Sequence, residues 1–124
     1  MSEADATAGR NPSAAPPRDR RAYVRLPSDL ASTARPAGRS REVGWPGRVR
    51  DISLGGVGLL LRHRFRPGTI LEVELRSNTG ALLRAVSVRV VHATAVLMDG
   101  NPCWHLGCAF PQPLSDEEFR ELSS

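Results

Sequence analysis

The stretch ILEVELRSNTGALLRAVSVRVVH, residues 70–92, decides the fold. Apolar residues from Leu71 to Leu75 alternate with charged ones, which is typical of a strand with one buried face and one exposed face. Asn78-Thr79-Gly80 then indicates a turn. Leu82 to His92 predicts a longer strand in which valines at every second position share a face. These two segments predict a β-hairpin.

Weaker strand patterns on both sides extend this hairpin. Before it, we predict strands from Leu30 to Arg35, from Glu42 to Ile52 and over Val57 to Leu61. After it, a loop over residues 98–102 leads to a last strand from Trp104 to Phe110. Short strands separated by turns are typical of a small antiparallel barrel or sandwich, and closure of a barrel would also pair the strand edges. We therefore predict an all-β fold and, of the two, expect a six-stranded antiparallel β-barrel.

The two ends of the chain differ from this pattern. Residues 1–17 are rich in Ala, Pro, Ser and Gly and have no apolar periodicity, so we predict a disordered N-terminal tail. The barrel domain is expected over residues 18–124. Ser115 to Glu118 is an S-x-x-E capping box, followed at helical spacing by Phe119 and Leu122. This pattern predicts a short C-terminal α-helix that packs against one end of the barrel.

The charge of the chain points to an anionic partner. Basic residues outnumber acidic ones by 17 to 13, and all of the basic residues are arginines. A guanidinium forms paired hydrogen bonds with phosphate or with a guanine edge, and its flat face stacks on bases.

Other classes of site are poorly supported. Cys103 and Cys108 are five positions apart, an odd separation, so a strand would place them on opposite faces, and we expect no disulfide between them. The three histidines are scattered, which predicts no metal site and no cofactor. No apolar run has membrane-spanning length and no signal-peptide core is present, so we expect no membrane insertion and a cytoplasmic location.

Two motifs could bind an anionic nucleotide. The first is Arg20-Arg21-Ala-Tyr-Val-Arg25 and the second is Asp51-Ile-Ser53-Leu-Gly55-Gly56. Arginine suits phosphates and the O6/N7 edge of guanine, while a carboxylate suits the N–H donors of its other edge. The two glycines allow close backbone approach to a ligand. Each motif alone is commonly a solvated charge run or an ordinary turn.

Together and in this order, the two motifs resemble those of the PilZ domain family, small β-barrel receptors for the bacterial second messenger cyclic di-GMP. The segment from His105 to Phe110 and the acidic helix beginning near Ser115 also match. The resemblance implies that Arg21 and Arg25 bind guanine edges and phosphates from a segment that wraps over the ligand. It implies that Asp51, Ser53 and Gly56 contact the other side of the ligand. Arg20 is a candidate to stack on a base and hold a second ligand.

We therefore expect a receptor without catalysis, since the residues form no nucleophile–base pair. Ligand binding would order the arginine segment, and a protein partner would receive the signal. Two alternatives remain open. A basic barrel could bind single-stranded nucleic acid, although a low aromatic content makes nucleic acid unlikely. A PilZ-like barrel could also act only as a protein-interaction module.

Overall fold

The protein is described by a computed structural model covering residues 24–39 and 43–123. It contains seven strands and one helix within those ranges. The elements are β1 (Leu26–Pro27), β2 (Ala31–Pro36), β3 (Trp45–Ile52), β4 (Gly56–Leu61), β5 (Ile70–Arg76), β6 (Leu82–Met98), β7 (Asn101–Ala109) and α1 (Asp116–Ser123). The predicted disorder of residues 1–17 lies outside the described residues.

Six of the strands close into a barrel. Every pairing is antiparallel, in the order β3-β2-β5-β6-β7-β4, and a β3–β4 pairing joins the two ends. The six-stranded antiparallel β-barrel is therefore confirmed. The sequence did not predict β1, a two-residue strand that pairs with β3 outside this ring.

The interior is built from the alternation that the sequence predicts. Leu71, Val73 and Leu75 are buried, whereas Glu72 and Glu74 on the opposite face are only partly covered. Residues from every barrel strand join the same core, which excludes water from one continuous apolar interior. The fully buried large side chains are Val49, Ile52, Val57, Leu59, Leu61, Leu71, Val73, Leu75, Val88, Val90 and Leu106.

The structure corrects the ends of several predicted strands. β6 continues to Met98 rather than ending at His92, and β7 begins at Asn101. The cause is a tighter turn than expected. Asp99 and Gly100 both have positive φ, so these two residues alone reverse the chain and leave Asn101 in the ladder. β3 begins at Trp45, three residues after the predicted start.

The predicted capping box is present at the start of α1. The Ser115 hydroxyl accepts a hydrogen bond from the Glu118 backbone N–H at 3.1 Å, and the Glu118 carboxylate accepts one from the Ser115 N–H at 2.8 Å. These bonds lower the pKa of Glu118. Leu122 is buried in the core, and Arg84 of β6 forms ion pairs with Glu118 and Glu121. The helix is thereby fixed to the barrel.

Replacement of Ser115 by Ala should lower the free energy of unfolding by about 1 kcal/mol, because a helix N–H loses its acceptor. Chemical denaturation followed by circular dichroism measures this change. Ser87→Ala, at an exposed strand position, is the matched control and should be nearly neutral. Equal stability of the two variants would contradict the role assigned to the cap.

Candidate functional site

The D-x-S-x-x-G motif forms the turn between β3 and β4. Ser53 is buried, and its hydroxyl oxygen accepts hydrogen bonds from the backbone N–H groups of Gly55 at 3.2 Å and Gly56 at 3.1 Å. The Ser53 N–H also donates to the Gly56 carbonyl at 2.9 Å. The hydroxyl that the sequence assigns to ligand contact thus fixes the backbone of the turn.

Gly56 has a structural reason to be glycine. A Cβ at this position would collide with the backbone carbonyl of Cys108, because β4 and β7 approach closely there. A neighbouring backbone cannot move away as a flexible side chain can. Gly56 therefore allows β4 to enter the barrel, and this requirement is separate from any approach of a ligand.

The structure brings the second arginine of the first motif to the second motif. β1 pairs with the end of β3, with Pro27 opposite Asp51, and this places Arg25 beside the turn. The Arg25 guanidinium donates a hydrogen bond of 2.7 Å to the Asp51 carboxylate. The predicted neighbourhood of the two motifs is therefore present at Arg25. Arg20 and Arg21 lie outside the described residues.

A row of four cross-strand partners extends from Asp51 around the outer face of the barrel. Asp51 of β3 lies opposite Gly58 of β4, which lies opposite Gly107 of β7, which lies opposite His92 of β6. The two central positions have no side chain. The row spans three inter-strand spacings, roughly 14 Å. The two glycines are buried beneath the side chains of Asp51, His92 and His105, and we call this glycine strip with the side chains over it the groove.

Neighbouring side chains fill the space that a Cβ would occupy in this groove. At Gly58, a Cβ would lie 2.6 Å from Asp51 Oδ1 and 2.8 Å from His105 Nε2. At Gly107, it would meet the His92 ring. Glycine in a strand interior commonly marks such a close approach. Any larger residue here would displace the side chains that border the groove.

The two histidines lie side by side, with ring centroids 5.7 Å apart. Burial and the nearby Arg50 guanidinium lower the pKa of His105, so its ring is neutral at neutral pH. Its Nε2 is buried and has no hydrogen-bond partner among the described residues. The ring therefore offers an unsatisfied polar atom at the groove.

A shallow cavity of about 300 Å³ opens beside this row. Four predicted site residues line it: Arg25, Ser53, Gly55 and Gly56. It also contains residues that sequence reasoning left out of the site, namely Val91, His92, Gly107, Cys108 and Ala109. Depressions of about 410 and 710 Å³ occur elsewhere, but none of the predicted site residues lines them. The motifs rather than the volume identify the candidate site.

The sequence contains a partial signal for Gly58 and Gly107, which the sequence analysis did not assign to the site. Gly58 and Gly107 lie inside strands between buried residues, where glycine points to close packing. Their alignment with Asp51 and His92 depends on the register of three strand pairs. No single strand contains that information.

No group of three His, Cys, Asp or Glu side chains in residues 24–39 and 43–123 could hold a metal ion. Cys103 and Cys108 are buried free thiols, and burial raises the pKa of Cys108 to about 12. Among the helices of the described ranges, none is long and apolar enough to cross a membrane.

Comparison with solved structures shows the same fold in three proteins. The PilZ domain of YcgR from Escherichia coli, described with c-di-GMP, has a TM-score of 0.60 and 18% identity, over 84% of this chain and 86% of that one. The K. pneumonia MrkH–c-di-GMP complex has a TM-score of 0.53 and 16% identity, and the match covers 85% of this chain and 50% of that one. PlzA of Borreliella burgdorferi in complex with c-di-GMP also has a TM-score of 0.53 and 16% identity, and the match covers 77% of this chain and 43% of that one. This chain thus spans half or less of MrkH and PlzA.

The curated proteins include none that matches this chain. The family model of the PilZ domain matches residues 19–124, nearly the whole sequence. The chain belongs to the PilZ domain family.

Proposed function

We propose that this chain is a receptor that binds cyclic di-GMP without chemically changing it. The observation that carries the proposal is the Arg25–Asp51 contact beside the cavity that Arg25, Ser53, Gly55 and Gly56 line. A cation for phosphate or guanine and a carboxylate for guanine N–H groups lie within one site. The c-di-GMP-bound state of YcgR, MrkH and PlzA, which share this fold, supports the assignment.

The site residues then take different roles. Arg25 binds phosphate or the O6/N7 edge of guanine, and Asp51 accepts hydrogen bonds from the other guanine edge. Gly55 and Gly56 let the ligand approach the backbone. Ser53 is a positioning residue, since its hydroxyl is already bonded to the turn. Arg20 and Arg21 complete the cationic side of the site from the preceding segment.

The weakness of the Arg25–Asp51 ion pair favours a switch. The two side chains are 48% and 22% exposed, and an exposed pair of this kind contributes at most about 1 kcal/mol. A phosphate can therefore replace Asp51 as the partner of Arg25 at small cost. In this mechanism the ligand draws residues 20–25 onto the barrel, and the remodelled surface is recognised by a protein partner.

Substitution at the two charged residues distinguishes this receptor from a general nucleic-acid binder. Arg25→Ala and Asp51→Ala should each weaken cyclic di-GMP binding about 10-fold or more, since each removes a charge-assisted hydrogen bond. Isothermal titration calorimetry measures affinity and stoichiometry together. Arg120→Ala, on the helix away from the groove, is the matched control.

With a single-stranded oligonucleotide, Asp51→Ala should bind as tightly as the wild type or more tightly, because Arg25 loses its internal partner. Loss of binding to both ligands on removal of Asp51 would contradict a specific role for this carboxylate. Absence of heat on titration of folded wild-type protein with cyclic di-GMP would favour the protein-interaction module.

The stoichiometry tests the role of Arg20. Two ligands per chain in the wild type would support base stacking by Arg20, and one per chain in both wild type and Arg20→Ala would reject it.

Adding a methyl group at Gly58 should weaken cyclic di-GMP binding without unfolding the barrel. A Cβ in Gly58→Ala displaces the Asp51 carboxylate and the His105 ring, both of which are movable side-chain ends. We expect roughly 10-fold weaker cyclic di-GMP binding, equivalent to about 1.4 kcal/mol. Ala85→Val adds volume to the exposed face of β6 outside the groove and should bind normally. Unchanged affinity of Gly58→Ala would show that the ligand does not occupy the groove.

The ordering mechanism predicts protection from protease. Trypsin cleaves after arginine, and residues 10–27 contain several arginines. Cleavage in this segment should be rapid without ligand and slow with saturating cyclic di-GMP, as followed by mass spectrometry. Arg25→Ala should show little protection. Equal cleavage rates with and without ligand, at a concentration where calorimetry shows saturation, would reject the ordering mechanism while leaving the receptor assignment intact.

A further inference from the structure

We propose that the chain forms a symmetric dimer by pairing the open edge of β6 with the same edge of a second copy. This inference goes beyond the receptor function and does not depend on it. It rests on the part of β6 that extends past its neighbour β5, residues 91–98, which we call the β6 extension.

The β6 extension has a partner strand on one side only, within the described residues. β5 pairs with β6 up to Arg89, and the last hydrogen bonds on that side join Val90 to Gly68 and Thr69. On the other side, β7 pairs with β6 as far as Met98. Within the described residues, this edge therefore remains available for another strand.

The hydrogen-bonding pattern identifies which groups face the open edge. Met98 and Asn101 flank the two-residue turn and form its hydrogen-bonded pair. Hydrogen-bonded and non-hydrogen-bonded pairs alternate along the ladder from there. Leu97, Ala95 and Ala93 belong to non-hydrogen-bonded pairs, so they direct their N–H and C=O groups away from β7. Pro102, opposite Leu97, has no N–H to offer, which agrees with this assignment. Each of these three residues thus presents a backbone donor and a backbone acceptor to the open edge.

The composition of the β6 extension lacks the usual protection of a strand edge. Its sequence VHATAVLM contains no acidic or basic residue other than the histidine, no proline and no glycine. Native edges commonly contain charged residues or proline, which prevent pairing with another chain. Leu97 is 73% exposed and Val91 is 48% exposed. An uncharged, partly apolar edge of this kind fits another strand.

The extension is complementary to itself in antiparallel orientation. With the two-fold axis at Ala95, each Ala95 meets its copy, and Leu97 of one chain lies opposite Ala93 of the other. A large side chain therefore faces a small one on this face. On the other face, Thr94 lies opposite Val96, a favourable pair of β-branched residues. No like charges meet, and a two-fold contact of identical edges closes without forming a fibre.

Sedimentation velocity of the full chain tests the dimer. We expect the wild type to sediment, as its concentration rises, with twice the chain mass of 13.5 kDa. Ala95→Arg places two arginines opposite each other at the axis and should reduce the mass to 13.5 kDa. Ala85→Arg introduces the same residue at an exposed site of the same strand, paired with β5, and should remain dimeric. Ala95→Pro removes a donor that faces the open edge and gives a second monomeric variant.

A wild type that stays monomeric at every concentration would overturn the proposal, and so would a dimer that survives Ala95→Arg. The register has a separate test. Ala95→Cys should cross-link to its copy under mild oxidation, because hydrogen-bonded partners have Cα atoms about 5.5 Å apart. Ala85→Cys should not cross-link. Cys103 and Cys108 are buried and leave little background. A dimer in which Ala95→Cys fails to cross-link would reject pairing about Ala95.

Discussion

Closure of the barrel between β3 and β4 is the constraint on which the other features depend. The chain must reverse within a few residues and bring β4 against both β3 and β7. Ser53 makes the reversal possible, since its buried hydroxyl satisfies two backbone N–H groups that the turn would otherwise leave unpaired. Gly56 makes the approach to β7 possible because a Cβ has no room there. The motif that the sequence associates with a ligand is thus first a requirement of the fold.

This double role explains how the site is built. The turn ends β3 just after Asp51 and starts β4 just before Gly58, which places the carboxylate at the end of the groove. The same turn lies beside β1, whose pairing with β3 brings Arg25 to Asp51. A rigid barrel holds the acidic end of the site, whereas the basic end belongs to the segment that precedes β1. In the proposed mechanism, specific recognition and the ligand-dependent change therefore arise from different parts of one site.

The sequence predicts those features that depend on local patterns. Alternation identified the strand containing Leu71 to Leu75, and the S-x-x-E pattern identified the start of α1. It could not predict features that depend on register or on a choice between turns. Residues 98–102 contain several turn formers, and only the backbone shows that Asp99 and Gly100 alone make the reversal. The groove between Asp51 and His92 needs three strand pairs in the correct register, so neither Gly58 nor Gly107 could be assigned to it from the sequence.

β6 shows how an early turn changes the shape of the barrel. Because Asp99 and Gly100 complete the reversal so tightly, β6 and β7 continue as a paired ribbon beyond the point where β5 stops. A register shift between Val90 and His92 lies at that point, and such a bulge increases local twist. The shift separates two parts of one strand. Val88 and Val90 pack into the core, and beyond the shift His92 borders the groove while Leu97 lies on the open edge. The groove and the open edge therefore share the β6 extension.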